Sequence, residues 1–229
     1  MDRIKEGYGM SGEQSTRKLT KAEEKRLERF RRQSDALAAQ GYTAGDLTVD
    51  PRKANLLGTV YGLIAAVPFL LVYFLRRNGG GFTPGDVFLR RYLLFFALMI
   101  VFVAVHELLH GITWSIFAKE HFNSIEFGVL WRTLNPYCTC GEALTKSQYL
   151  MGLIMPCLIL GVVPSVISWW NHSGWFLAMG MVMTVSAGGD LLIGKMILTN
   201  KSDPEALYLD HPTEIGLVRF EKDNGRSIP

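Results

Sequence analysis

Cysteine is scarce in this chain, three in 229 residues. An odd and small number excludes a disulfide-stapled scaffold. A strong excess of one charge is missing too. The formal net charge is +3, which gives no ground for a nucleic-acid surface. No short basic region followed by a cleavable apolar core opens the sequence, so no signal peptide is expected and the first long apolar segment should itself direct the chain to the membrane. Residues 78–85 (NGGGFTPG) contain three successive glycines, yet no strand precedes them, which excludes a phosphate-binding loop and leaves a flexible connection.

What is abundant is apolar sequence, and it is clumped. Residues 54–75, 92–117, 150–170 and 175–198 each reach or exceed the roughly 20 residues that cross about 30 Å of hydrocarbon. The last two are joined only by Asn171, His172, Ser173 and Gly174, which allows a tight hairpin between antiparallel neighbours. Lys and Arg set the orientation. With both termini in the cytoplasm, twenty of them fall inside and four (Arg76, Arg77, Arg90 and Arg91) outside, as the positive-inside rule favours. The expected fold is an all-α protein of the plasma membrane with about four transmembrane helices, a cytoplasmic N-terminal amphipathic helix and a small β-like cytoplasmic loop and tail. Three parts follow: an N-terminal segment at 1–53, a transmembrane part at 54–200 and a tail at 201–229. Cys138 and Cys140 would then face a reducing compartment and stay unpaired.

Residues up to about Thr16 are polar and dotted with glycine, a composition that favours disorder. Thr20 followed by Glu23 is a capping box, so a helix should start there, run to Gln40 and stop at Gly41. Leu27, Phe30 and Leu37 share one face of it while arginines and lysines cover the rest. Such a helix can lie on the inner leaflet, cover an active-site mouth or stand as a solvated appendage. Pro68 should kink the first span. The longest internal loop, 119–149, alternates in part, which predicts strands near 124–130 and 133–139 with a turn at Asn135-Pro136. An edge strand there could present an extended peptide by backbone pairing.

Chemistry concentrates in the second span. His106 and His110 are four residues apart, so on a helix of 3.6 residues per turn both imidazoles leave the same face and can reach one metal ion. Glu107 lies beside them, where a carboxylate can take a proton from water at the metal. Two histidines and a glutamate inside an apolar span are expensive to bury unless something pairs with them. The fourth span carries Asp190 after Gly188 and Gly189, small residues that let another helix approach closely. Counted from their outer boundaries, His106 and Asp190 lie at the same depth, roughly 22 Å in at 1.5 Å per residue. Catalytic zinc takes three protein ligands and keeps a position for water. His106, His110 and Asp190 make up such a set, with Glu107 as general base. A third histidine ten residues into the motif, used by one class of soluble zinc peptidases, is absent, since that position is Ile116. Pro156 and Pro164 interrupt the third span and free backbone carbonyls at membrane depth, either toward a cavity or as plain kinks. Cys138-Thr139-Cys140 offers soft ligands but lacks a partner pair. His211 could swing back as a ligand or begin a turn before a strand at 215–220, and the turn is the expectation.

His106-Glu107-Leu108-Leu109-His110, Gly189-Asp190-Leu191, Pro156 and Asp210-His211-Pro212 resemble the pattern of a bacterial membrane family described as zincin peptidases. Their layout is similar to that of the site-2 protease group of intramembrane metalloproteases. The resemblance covers roughly residues 93–220. It implies hydrolysis of peptide bonds in a membrane protein or peptide substrate, within or at the edge of the lipid bilayer, with His106, His110 and Asp190 as zinc ligands and Glu107 as general base. The site-2 pattern places a glycine after the aspartate and carries an asparagine-containing proline motif. Here Gly189 comes before Asp190, Leu191 follows it, and that proline motif is missing. The competing reading is a non-enzymatic membrane protein that binds the metal for sensing, transport or scaffolding.

Overall fold

The computed structural model describes residues 20–76, 88–130 and 135–222. The expectations for the polar stretch up to Thr16, for the glycine connection at 78–85 and for the strand start at 133–134 lie outside these residues, as do Arg3, Lys5, Arg17, Lys18, Arg77, Arg132 and Arg226 of the charge count.

Thr20 and Glu23 form both halves of the capping box, and helix α1 runs over Lys21–Ala38. Gly41 takes φ +82°, a left-handed turn that costs glycine nothing, and leads into strand β1, Tyr42–Val49. This strand has no counterpart in the expected all-helical layout. The Asp50 carboxylate accepts from the N–H groups of Arg52 (3.0 Å) and Lys53 (3.2 Å) and opens helix α2, Pro51–Arg76. Pro51 stands where a missing N–H is harmless. Helix α3 is Phe88–Phe117. Strands β2, Ile125–Leu130, and β3, Asn135–Cys140, pair antiparallel from Ile125↔Cys140 to Leu130↔Asn135. Asn135 and Pro136 therefore lie within β3 and do not form the turn read from the sequence. Proline tolerates an edge strand because no ladder bond is asked of its nitrogen.

The chain continues through β4, Leu144–Thr145, and α4, Lys146–Pro156. A π-helical stretch at Cys157–Val162 and helix α5, Val163–Asn171, follow. After the tight hairpin come α6, Gly174–Ser186, and α7, Gly188–Thr199. Strands β5, Leu207–Asp210, and β6, Ile215–Lys222, end the described chain. The order β1-β6-β5-β4 makes one four-stranded antiparallel sheet. The fold is thus mostly helical with a small sheet, because β1 pairs with β6 from Tyr42↔Lys222 to Val49↔Ile215.

Helix α1 is not a solvated appendage. Phe30 and Leu37 are buried against Leu209, Val218 and Phe220 of the sheet. Arg26 lies over the Tyr137 ring at 4.5 Å, with its Nε 3.9 Å from Glu126, and Arg29 donates to the Asn123 carbonyl at 3.4 Å. The helix therefore ties the β2–β3 hairpin to the sheet. Glu142 fixes the hairpin to the end of α3, accepting from the N–H groups of Lys119 (2.8 Å) and Glu120 (2.9 Å) and from the Ser124 hydroxyl.

Three helical stretches, Pro51–Arg76, Leu93–Phe117 and Lys146–Asn171, are long and apolar enough to cross a membrane. Helices α6 and α7, bent by 48° at their junction, make a fourth if taken as one span. Leu63, Ile64 and Phe74 on α2 and Ile100, Ile112 and Ile116 on α3 are exposed, as suits side chains whose solvent is lipid.

Candidate metal centre

Helix α3 is apolar nearly all round, and His106, His110, Thr113 and Trp114 make up its buried polar and aromatic face. Across from it, the break at Ala187 between α6 and α7 starts a new helix at mid-span. Asp190 falls in the first turn of α7, where free backbone N–H groups favour a carboxylate. Helix α2 makes room for this turn. A Cβ on Gly188 would sit 2.0 Å from the Gly58 carbonyl oxygen, and one on Gly62 would sit 2.5 Å from that of Val185. The close approach expected of the small residues before Asp190 is thus made by α2, which the sequence suggested only as scaffold.

The three groups converge. His106 Nε2 is 3.1 Å from one Asp190 oxygen, His110 Nε2 is 3.4 Å from the other, and the two Nε2 atoms are 3.3 Å apart. Donor atoms about 2.0–2.1 Å from a tetrahedral zinc lie roughly 3.3–3.4 Å from one another, so the spacing suits one ion held by all three. Among the described residues this is the group of His, Cys, Asp and Glu able to hold a metal. His106 and Asp190, which the depth count paired, are in contact.

The proline in α4 explains the orientation of His110. Pro156 has no N–H to give to the carbonyl of Gly152, four residues earlier. That carbonyl is 2.9 Å from His110 Nδ1. A carbonyl can only accept, so Nδ1 carries the proton and Nε2 turns a lone pair to the site, as a metal-binding histidine requires. On its other side His110 stacks on Trp114 (centroids 5.1 Å, 15° between planes). Trp114 Nε1 donates to the Tyr149 carbonyl at 3.1 Å. Gly152 must be glycine for this, since a Cβ there would lie 2.0 Å from Trp114 Nε1. By contrast, His106 Nδ1 is buried without a hydrogen-bond partner.

We expect Pro156→Ala to return an N–H to the Gly152 carbonyl and compete with His110. Loss of such an orienting partner typically lowers metal affinity 10–100-fold. We expect about a tenfold fall in zinc affinity by chelator competition, with helix content unchanged; wild-type affinity would show that another group orients the ring.

Glu107 turns toward the hairpin, where the Cys138 backbone N–H is directed at its carboxylate. Gly111 allows this docking, because a Cβ there would meet Phe127 at 2.4 Å. The amide of Cys140, two residues on, donates to Asp210 at 2.8 Å. Both amides thus leave β3 on the edge away from β2. Of the other candidates, Cys138, Cys140 and Cys157 are free thiols. Burial pushes the Cys138 thiol far up and the Cys140 thiol to about 12, and neither belongs to the converging group of His106, His110 and Asp190. His211 sits in a turn, its Nδ1 accepting from the N–H groups of Thr213 (3.3 Å) and Glu214 (2.8 Å), as expected. Its pKa is lowered by burial.

Residues 98–203 match the family model described as "Putative zincin peptidase". The matched stretch holds His106, Glu107, His110, Pro156 and Asp190, and leaves α1, β1, α2, β5 and β6 outside. A zincin-type match implies zinc, and the donor set suits it. No curated protein and no solved structure matches the chain.

Proposed function

We propose that this protein is a zinc-dependent metallopeptidase that hydrolyses peptide bonds of membrane-associated substrates within or at the edge of the bilayer, in the manner of the site-2 protease group. The observation that carries the reading is the meeting of His106 Nε2, His110 Nε2 and the Asp190 carboxylate from separate helices, with Glu107 one residue from the first. These three residues would hold the ion. A bound zinc supplies Lewis acidity, polarising a carbonyl and bringing the pKa of water near 7. Glu107 takes the proton from the attacking water and returns it to the leaving amine. The charge distribution supports a multi-pass protein with both termini in the cytoplasm and the site in the cytoplasmic half.

The test is metal dependence of cleavage. Purified protein should carry one zinc per chain and cut members of a quenched-fluorescent library of single-span peptides in vesicles. Chelation should abolish cleavage and added zinc restore it, while His106→Ala should bind no zinc. Cleavage that survives complete metal removal would end the assignment.

A further inference from the structure

Asp210 lies on the sheet, outside the group that holds the metal, and its carboxylate joins two elements that reach that group by different routes. One oxygen accepts from the Tyr149 hydroxyl and the other from the Cys140 amide. Tyr149 is buried in the first turns of α4. Its carbonyl holds Trp114, whose ring stacks on His110, and its own ring lies 5.1 Å from that of Trp114. Cys140 belongs to β3, and two residues back along the same edge the Cys138 amide meets Glu107. Resting on the peptidase reading above, we propose that Asp210 is a positioning residue. It holds α4 and β3 in fixed register, so that His110 and Glu107 keep their places relative to each other.

A carboxylate is suited to this task. It accepts two hydrogen bonds along divergent directions and donates none, which matches one O–H and one N–H. Asparagine keeps the shape, but its amide nitrogen can only donate, so the Tyr149 hydroxyl must turn round to accept from it and both bonds lose the carboxylate's charge. The Asp210 carboxylate is also enclosed: burial drives its pKa up to about 6, against the pull of the Tyr149 and Cys140 hydrogen bonds. A group kept only for stability would be a poor choice for such a place, because an ionised buried carboxylate opposes folding above its pKa.

The experiment compares Asp210→Asn, Tyr149→Phe and the double variant with the wild type, all as full chains at pH 8. We expect kcat of each single variant to fall at least tenfold, and the double variant to lose no more than the worse single one, as members of one unit do. The melting temperature of Asp210→Asn should equal or exceed that of the wild type, and its zinc stoichiometry should be unchanged. Two readouts do not depend on turnover. Amide exchange over 138–140 should quicken at least tenfold in Asp210→Asn, and the visible absorption bands of the cobalt-loaded protein should shift in both single variants. If the wild type cleaves no peptide but these two changes occur, the peptidase reading falls and the positioning role stands. If exchange and cobalt spectrum match the wild type, or activity falls only in step with melting temperature, Asp210 is not a positioning residue.

Discussion

Glu107→Gln should retain zinc and lose peptide cleavage by at least about a thousandfold. General acid–base catalysis by one placed group contributes typically 10²–10⁴-fold, and here the same carboxylate has to act twice, on the attacking water and on the leaving amine. Glutamine fills the same space, can still accept from the Cys138 amide, and takes no proton. Glu107 does not belong to the converging set of His106, His110 and Asp190, so the metal should stay. The variant separates the peptidase from the competing reading, a membrane protein that binds metal for sensing, transport or scaffolding. Both readings predict bound zinc and both predict its loss in His106→Ala. Only the peptidase requires a base that is dispensable for binding. The measurement is zinc by atomic absorption beside the rate of peptide release in vesicles. Cleavage by the Gln variant at the wild-type rate would remove Glu107 from the chemistry and leave the metal without a hydrolytic partner.

The centre was legible to different depths for physical reasons. His106 and His110 are local: helical spacing places them together whatever surrounds the helix. Asp190 lies 84 residues from His106 and was still reachable, because reading both apolar segments as spans of one direction lets residues be compared by counting from the segment ends. Pro156 was visible as a break that frees a carbonyl, though only the structure shows which carbonyl and that His110 uses it. Side chains that work through long-range pairing left less: Asp210 stood in a motif that carried the resemblance, but its partner did not show. Tyr149 and Asp210 stand 61 residues apart, and nothing in either neighbourhood names the other. Strand β1 did leave a weak mark, since Leu47 and Val49 alternate with polar residues. Its partner is β6 at the far end of the chain, however, and a lone strand next to a basic helix reads as connection. The apolar face of α1 was readable at Phe30 and Leu37, but the surface it covers is assembled from residues beyond Leu207.

Gly188→Ala should cost most of the activity and much of the zinc affinity, whereas Gly189→Ala, one residue nearer to Asp190, should leave the fold and bound zinc intact. A Cβ on Gly188 would stand 2.0 Å from the Gly58 carbonyl oxygen and 2.7 Å from its carbon. Both are backbone atoms, so no rotamer change relieves the overlap and one helix must move. Overpacking of this kind costs typically 1–3 kcal/mol. The element displaced is the first turn of α7, which carries Asp190, and a shift of about 1 Å in a reacting group can cost roughly 100-fold in rate. At Gly189 a Cβ meets nothing within 4 Å, and alanine favours a helix over glycine by about 1 kcal/mol, so its melting temperature should hold or rise. The pair therefore tests whether α2 sets the position of the third ligand by backbone contact. Zinc affinity by chelator competition, melting temperature and cleavage rate, measured on both variants in the same vesicles, decide it. Equal behaviour of the two would mean that the contact between α2 and α7 does not govern where Asp190 sits.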